Sequence, residues 1–582
     1  LAVLAFELVA DRVLAPFVGV SLYTWTSIIG VTMVGLSAGA WIGGRLADRR
    51  PRFTTLAGLL LGSAAILLLS FGLVRLIGDA GPLQALPSLA RIFLLSGLLL
   101  IPAATLLGAV TPLAVRLALD DLQRAGRTVG SIYALATLGS LAGNFLTGFV
   151  LVARLPVTTI FVAVAALLLV LAAFAWLSRG ASPAASSAGA EDAPAPVRAP
   201  EQGVALPIGD KPAALCAVAA AGSFCTMILE LSASRILAPY VGVSIYSWTG
   251  IIGVVLAGMA LGNYVGGRYA DRGLGQRGVA RWMVAGGFAT MTIVPLAPIL
   301  GGYEALAKYE LLFRVTVLAL AIFAAPVFLL GTLSPQLVRL AIGDVAHAGR
   351  LSGRIYAWST AGAIAGTFLT GWVLISTLGV FLLVMSAGLA LIVMGLVLGF
   401  GPGRQRRLEL TAAAAAIWAA VVYGGGVLNS PCTLETNYFC IRVEDGAERG
   451  EKYRYLYLDR LIHTYIKLDD PTFLGYEHEN IQSAITREWA SKIEKPRALV
   501  IGGGGYSFPR WVERYLPQVH VDVVEIDPGV TEIAYRELQL PRDTRIVSYN
   551  MDGRQFVKEH ASPGAYDLIV QDAVNDLSIP YH

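Results

Sequence analysis

The sequence predicts a many-spanning α-helical membrane domain joined to a smaller α/β domain at its C-terminal end. Three observations carry that reading. The 582 residues are 55% hydrophobic and only 14% charged, where soluble domains carry about 25% charged residues. The charge is split, because residues 1–427 hold 43 of the 84 charged side chains at net +11 and the last 155 residues hold 41 at net −7. The first part also contains one pattern twice. Composition excludes an ordinary cytosolic enzyme, a disordered chain and, with four cysteines, a disulfide scaffold. The net +4 of the whole chain averages two opposite surfaces and gives no reason to expect a nucleic-acid partner.

The duplication is read directly. Residues 7–49 and 230–272 match at an offset of 223 residues with 26 of 43 positions identical, and the same offset aligns Pro112, Arg116, Gly126 and Tyr133 with Pro335, Arg339, Gly349 and Tyr356. Each copy holds six apolar runs long enough to cross a hydrocarbon core, which takes about 20 helical residues. They fall near 1–16, 22–47, 54–77, 90–119, 128–152 and 156–177, then near 213–239, 245–270, 280–301, 313–341, 351–375 and 378–400. Six is even, so the copies share one orientation. Leu1 aligns with Phe224, inside its helix, so the first helix is expected to lack its beginning, and the chain to stop short of a whole fold after His582.

These runs define the expected domains: repeat 1 over 1–178, an Ala/Pro/Ser-rich linker over 179–211, repeat 2 over 212–400, a basic segment with a thirteenth apolar run (Leu408–Val427) over 401–428, and the α/β domain over 429–582. Arg45, Arg49, Arg50 and Arg52, with Arg268, Arg272 and Arg277, place the second-to-third loops in the cytoplasm. If the thirteenth run spans, the C-terminal domain is extracytoplasmic. If it lies on the surface, that domain is cytoplasmic.

Within the membrane, Gly35, Gly39 and Gly43, and again Gly258, Gly262 and Gly266, put glycine on one helical face every four residues, which suits close helix packing. Glu7 and Glu230 are carboxylates in apolar helices, and Arg12 and Arg235 follow five residues later. Such charges face protein or water rather than lipid. They read as structural ion pairs or as a polar site on the axis between the halves, for protons or a cationic ligand. Cys432 and Cys440 frame a short loop and would form a disulfide in an oxidising compartment. No C-x-x-C or His cluster suggests a metal.

From Lys495 the pattern turns αβ. A strand (Arg497–Ile501) runs into Gly502, Gly503, Gly504 and Gly505, a helix follows, and a second strand ends in Glu525 and Asp527. Glycines let backbone approach a ligand, and an acidic residue about 20 positions on accepts hydrogen bonds from ribose hydroxyls. This is a Rossmann-like start.

Two resemblances attach here. GGRLADRRPR (43–52), repeated as GGRYADRGLGQR, is similar to the second-to-third loop of the major facilitator superfamily. VEIDPGV (524–530), Asp552-Gly553-Arg554-Gln555-Phe556 and YDLIVQDAVND (566–576) resemble segments of the spermidine synthase family, over roughly 453–582. The combination resembles the fused major-facilitator/spermidine-synthase-like integral membrane proteins, which implies a spermidine-synthase/methyltransferase-type domain in a bacterial cell membrane. It further implies an S-adenosylmethionine-type ligand (decarboxylated S-adenosylmethionine or methylthioadenosine) on Gly502, Gly503, Gly504, Glu525, Asp552 and Gly553. Asp572 would be the catalytic carboxylate, assisted by Asp576 or Tyr476, and a polyamine would accept the aminopropyl group. The chain departs from the family pattern. The family's glycine loop continues with an aspartate where this chain has Gly505, and His463 and Arg460 replace a glutamine and a glycine. Adenosyl binding is therefore expected with aminopropyl transfer impaired. A transporter with a sensing tail, or a non-catalytic accessory subunit, remains the alternative.

Overall fold

A computed structural model describes residues 1–573 except 20–21, 79, 85, 120–123, 179–211, 244, 273–274, 343–347, 400–417, 419, 421–429 and 449. The linker, almost all of the thirteenth apolar run, and Asp576 therefore lie outside the described residues.

The long helices of the first part are α1 (Ala2–Val18), α2 (Leu22–Arg49), α3 (Phe53–Ile77), α4 (Ser88–Gly108), α5 (Val110–Ala118), α6 (Ala125–Phe145) and α7 (Val157–Leu177). Those of the second are α8 (Pro212–Val241), α9 (Ile245–Ala270), α10 (Gly275–Gly301), α11 (Leu311–Gly331), α12 (Leu333–Ala341), α13 (Ala348–Leu369) and α14 (Val380–Gly399). Eleven spans among the described residues are long and apolar enough to cross a membrane, which makes the chain a multi-pass integral membrane protein. Their outer faces carry apolar side chains that only lipid would cover, such as Leu69, Val170 and Phe174.

Irregularities recur at the 223-residue offset for a common reason. The run expected at 90–119 breaks after Gly108, and its counterpart breaks after Gly331. Pro112 and Pro335 have no N–H to donate to the carbonyls of those glycines, so the helical ladder is interrupted there. Helices α1 and α8 both end at a glycine with positive φ, Gly19 at 73° and Gly242 at 72°.

Packing follows the glycine stripes. A Cβ on Gly39 would lie 2.0 Å from the Thr105 carbonyl oxygen, and one on Gly262 would lie 2.3 Å from that of Phe328. Helix α2 thus sits directly on α4, and α9 on α11. One apolar core draws only on residues 5–172, and another on residues 215–398 plus a few from α5 and α6. The halves also meet near the arginine-rich loops. Asp48 accepts from the backbone N–H of Arg350 (3.0 Å), and Asp271 accepts from those of Gly126 (2.9 Å) and Arg127 (2.8 Å). Each carboxylate thereby satisfies free N–H groups at a helix start in the other half.

The C-terminal domain has two sheets. Strands β1 (Leu434–Glu435), β2 (Cys440–Glu448), β3 (Glu451–Leu458) and β4 (Leu461–Lys467) form an antiparallel sheet in that order. Strands β5 (Arg497–Ile501), β6 (His520–Val524), β7 (Val547–Tyr549) and β8 (Leu568–Gln571) form a parallel sheet in the order β7-β6-β5-β8. Helices α15 (Glu477–Ala490), α16 (Ser507–Tyr515), α17 (Pro528–Arg536) and α18 (Gly553–Glu559) connect and cover them. Buried runs such as Ala498–Val500 and Val521–Val524 (Asp522 included) suit a sheet covered on both faces. Ile441, Leu456 and Ile466 pack with Val530 and Ile533 and join the antiparallel sheet to α17.

This domain rests on the ends of α1 and α8, opposite the arginine-rich loops. Arg554 donates to the Ala15 carbonyl (3.4 Å), Gln555 to that of Val18 and Lys558 to that of Pro16, while Glu559 pairs with Arg91 of α4. In the second half, Arg235 donates to the carbonyls of Thr436 (2.8 Å) and Tyr438. The N–H of Val380, which opens α14, donates to Glu435 (2.7 Å).

Candidate functional site

The parallel sheet brings the expected residues to its carboxyl edge. Gly502 leaves β5, Glu525 leaves β6, Asp552 follows β7 and Asp572 leaves β8. The chain turns to opposite sides of β5, and open α/β sheets bind ligands outside such a point. Gly502 has φ 99°, and a Cβ there would lie 2.6 Å from the Asp572 carbonyl oxygen, so only glycine lets the two strand ends approach.

Glu525 is tied into this loop. Its Oε2 accepts from the Gly503 N–H (2.8 Å) and its Oε1 from the Asp527 N–H (3.0 Å). Burial raises its pKa to about 7, opposed by those backbone donors. Asp527, fully buried, accepts from the Gly529 N–H (2.8 Å) at the start of α17 and from the Thr436 hydroxyl (2.6 Å). Burial raises its pKa too. Asp552 caps α18, its Oδ1 accepting from the N–H groups of Arg554 (2.9 Å) and Gln555 (3.0 Å). Gly553 is the first residue of that helix.

The β8 side of the edge is built differently. Asp572 lies 3.8 Å from His478 Nε2, and burial raises its pKa, which makes it a better proton acceptor at neutral pH. Glu479 stands nearby with a pKa also raised by burial. Tyr476, expected to assist, donates its backbone N–H to Glu479 Oε2 (3.1 Å) at the start of α15 and its hydroxyl to the Ile462 carbonyl (2.9 Å). Burial raises it to about 12, so its proton is committed to that bond. His463 is pushed down to about 4 by burial and stays neutral.

The glycine loop explains its own departure. A Cβ on Gly505 would lie 1.9 Å from Thr464 Cγ2. No side chain fits at the position where the family has its aspartate. The next residue, Tyr506, adopts φ 61° and is fully buried, its hydroxyl bonded to Thr531 (3.0 Å) and Ser548 (3.1 Å). It fills the core rather than the site.

Elsewhere the structure joins Cys432 to Cys440 in a disulfide, and Cys216 and Cys225 are buried free thiols. Glu7 on α1 and Glu230 on α8 lie within electrostatic reach of one another across the two halves. Arg235 does not pin its helix to a neighbour through Glu230. It reaches the C-terminal domain, facing Asp459, Asp527 and Glu435. Sequence reasoning missed His478 and Glu479, although both closely follow Tyr476, in the first turn of α15. It also missed Arg91, whose repetition as Arg314 at the 223-residue offset was the available signal. Among the described residues no group of His, Cys, Asp and Glu could hold a metal.

No family model matches the chain. A polyamine aminopropyltransferase of Vibrio vulnificus is 40% identical over 89 residues, which is 15% of this chain and 29% of that protein. The eEF1A lysine and N-terminal methyltransferase of Mus musculus is 31% identical over 109 residues, 18% of this chain and 16% of that enzyme. The chain thus spans less than a third of either relative. Among solved structures, a variant of the fucose:proton symporter of E. coli aligns over 68% of this chain and 95% of its own at 13% identity, with a TM-score of 0.43.

Proposed function

We propose that the C-terminal domain binds an adenosyl ligand of the decarboxylated S-adenosylmethionine or methylthioadenosine type, and transfers aminopropyl groups poorly or not at all. The observation that carries the reading is the convergence of the Gly502–Gly504 turn, Glu525, Asp552 and Asp572 on one edge of the parallel sheet. Glu525 would take ribose hydroxyls in exchange for backbone N–H groups, and Asp552 at the head of α18 would meet the adenine edge. The partial likeness to aminopropyltransferases and methyltransferases, two classes that use such ligands, agrees with this chemistry.

Transfer would need little from the protein. A neutral amine attacks the carbon beside the sulfonium, the C–S bond breaks to release methylthioadenosine, and the new ammonium loses a proton. Asp572 is placed to take that proton, with Asp576 as the further carboxylate. What is missing is a grip on the amine end of the donor, because Gly505 has no room for a carboxylate. One charge-assisted hydrogen bond is worth about 1.5–3 kcal/mol, roughly one to two orders of magnitude in affinity.

The domain's seat at the ends of α1 and α8, away from the arginine-rich loops, supports an extracytoplasmic location, and a Cys432–Cys440 disulfide suits that compartment. Decarboxylated S-adenosylmethionine is made in the cytosol, so this seat weighs against a working transferase. A product assay on the full-length protein with putrescine and decarboxylated S-adenosylmethionine tests the reading. Turnover far below about 1 per second is expected, and turnover at or above that rate would refute the impairment.

A further inference from the structure

The C-terminal domain does not hang from one helix. It holds both halves of the membrane domain at once, and each of its two docking points adjoins a carboxylate at the edge of the parallel sheet, Asp552 or Asp527. The first point belongs to α18, the helix that Asp552 caps. Gln555 and Lys558 bind the exposed carbonyls at the end of α1, and Glu559 pairs with the buried Arg91 of α4. A Cβ on Gly19, at the tip of α1, would lie 3.3 Å from both the Asp552 carboxylate and the Gln555 amide, so the membrane domain touches the pocket's own residues. The second point is the segment around β1. Arg235 of α8 grips the Thr436 and Tyr438 carbonyls, and Glu435 binds the first N–H of α14. Thr436 also bonds Asp527, and Tyr438 stands within electrostatic reach of Glu525, Asp527, Asp552 and Tyr23.

One docking point is therefore in the first half and the other in the second. The halves have largely separate apolar cores and meet along α2 with α13 and α9 with α6, and packed bodies of this kind shift against each other as units rather than deform. At the arginine-rich end they are fastened by Asp48 and Asp271. At the other end Asn144 donates to the Thr249 carbonyl (3.3 Å), and the links described through Arg91, Arg235 and Glu435 run by way of the C-terminal domain.

We propose that this domain is a brace across the ends of the two halves, and that the contacts its pocket edge makes with both docking points couple pocket occupancy to their separation. The coupling rests on the adenosyl reading, whereas the brace does not. By linkage, a ligand that favours one separation binds more weakly when the docking points are broken, typically by about 5- to 150-fold.

The experiment is a distance measurement on the full chain in lipid nanodiscs. Spin labels go on Leu76→Cys and Ile299→Cys, exposed positions related by the 223-residue offset near the braced ends of α3 and α10, with Cys216 and Cys225 replaced by serine. Without ligand, the double variant Gln555→Ala/Lys558→Ala and, separately, Glu559→Arg should shift the separation to longer, broader values. The charge-swapped pair Arg91→Glu/Glu559→Arg should restore it. Methylthioadenosine should narrow the distribution in the braced protein and bind about fivefold or more weakly to the docking variants. Unchanged distances in both ligand-free variants would overturn the brace. Ligand that binds by calorimetry yet leaves the distances unmoved would overturn the coupling. An absence of binding would sink the adenosyl reading alone, and the ligand-free arm would still decide the brace.

Discussion

Gly505 and Glu525 state the chemistry of the site in opposite ways. Gly505 marks what the site lacks, because Thr464 occupies the space an added side chain needs. Gly505→Asp, designed to restore the family's carboxylate, should therefore destabilise the domain by about 1–3 kcal/mol or more through overpacking instead of raising turnover. A thermal melt beside the product assay reads both effects. Glu525 holds a proton in the folded state, near pKa 7, that the unfolded chain releases near 4.5. Its contribution to stability is full below pH 4.5 and is lost as pH rises through 7. Ribose hydroxyls donate to the ionised form, so methylthioadenosine affinity should rise roughly tenfold between about pH 6 and pH 8. Titrations at both pH values check this, with Asp527, Asp552 and Tyr438 as the neighbouring titratable groups, and a flat response would contradict it. Residue identity alone showed that an aspartate was absent at 505. It could not show that Thr464, 41 positions earlier, had closed the space, since that contact is made by tertiary packing.

The elements were read most securely where the pattern is longest. Twelve apolar runs of about 20 residues coincide to within a few residues with described helices, eleven of them long and apolar enough to cross a membrane, because lipid leaves a backbone few alternatives. The thirteenth run lies almost wholly outside the described residues. What the runs hid was their interruption at Gly108 and Gly331, although Pro112 and Pro335 were in plain view. Four-residue glycine spacing foretold close packing but not which helix would be the partner. The pairing of α2 with α4 and of α9 with α11 turns that spacing into a test. Gly39→Leu or Gly262→Leu should abolish a monodisperse protein on size-exclusion chromatography in mild detergent. Gly58→Ala, with nothing near its added carbon, should be tolerated. Equal tolerance at all three positions would contradict the packing.

At the scale of the whole molecule, charge asymmetry located two domains, but it carried no sign of where one sits on the other. Arg91 and Glu559 read as scattered charges, and Arg235 as part of an ion pair or an axial polar site, until the fold brought Arg91 to Glu559 and Arg235 to the Thr436 and Tyr438 carbonyls. An impermeant thiol reagent on intact cells should label Cys432 and Cys440 only after reduction, and labelling only after lysis would place the domain in the cytoplasm. We propose that this domain holds a nucleoside through Glu525. Titration calorimetry of the full-length protein with methylthioadenosine at about pH 8, beside Glu525→Gln, tests it most directly. Saturable binding that the substitution weakens by about one to two orders of magnitude is the expected result. No binding to the unaltered protein, or equal binding to both, would contradict it.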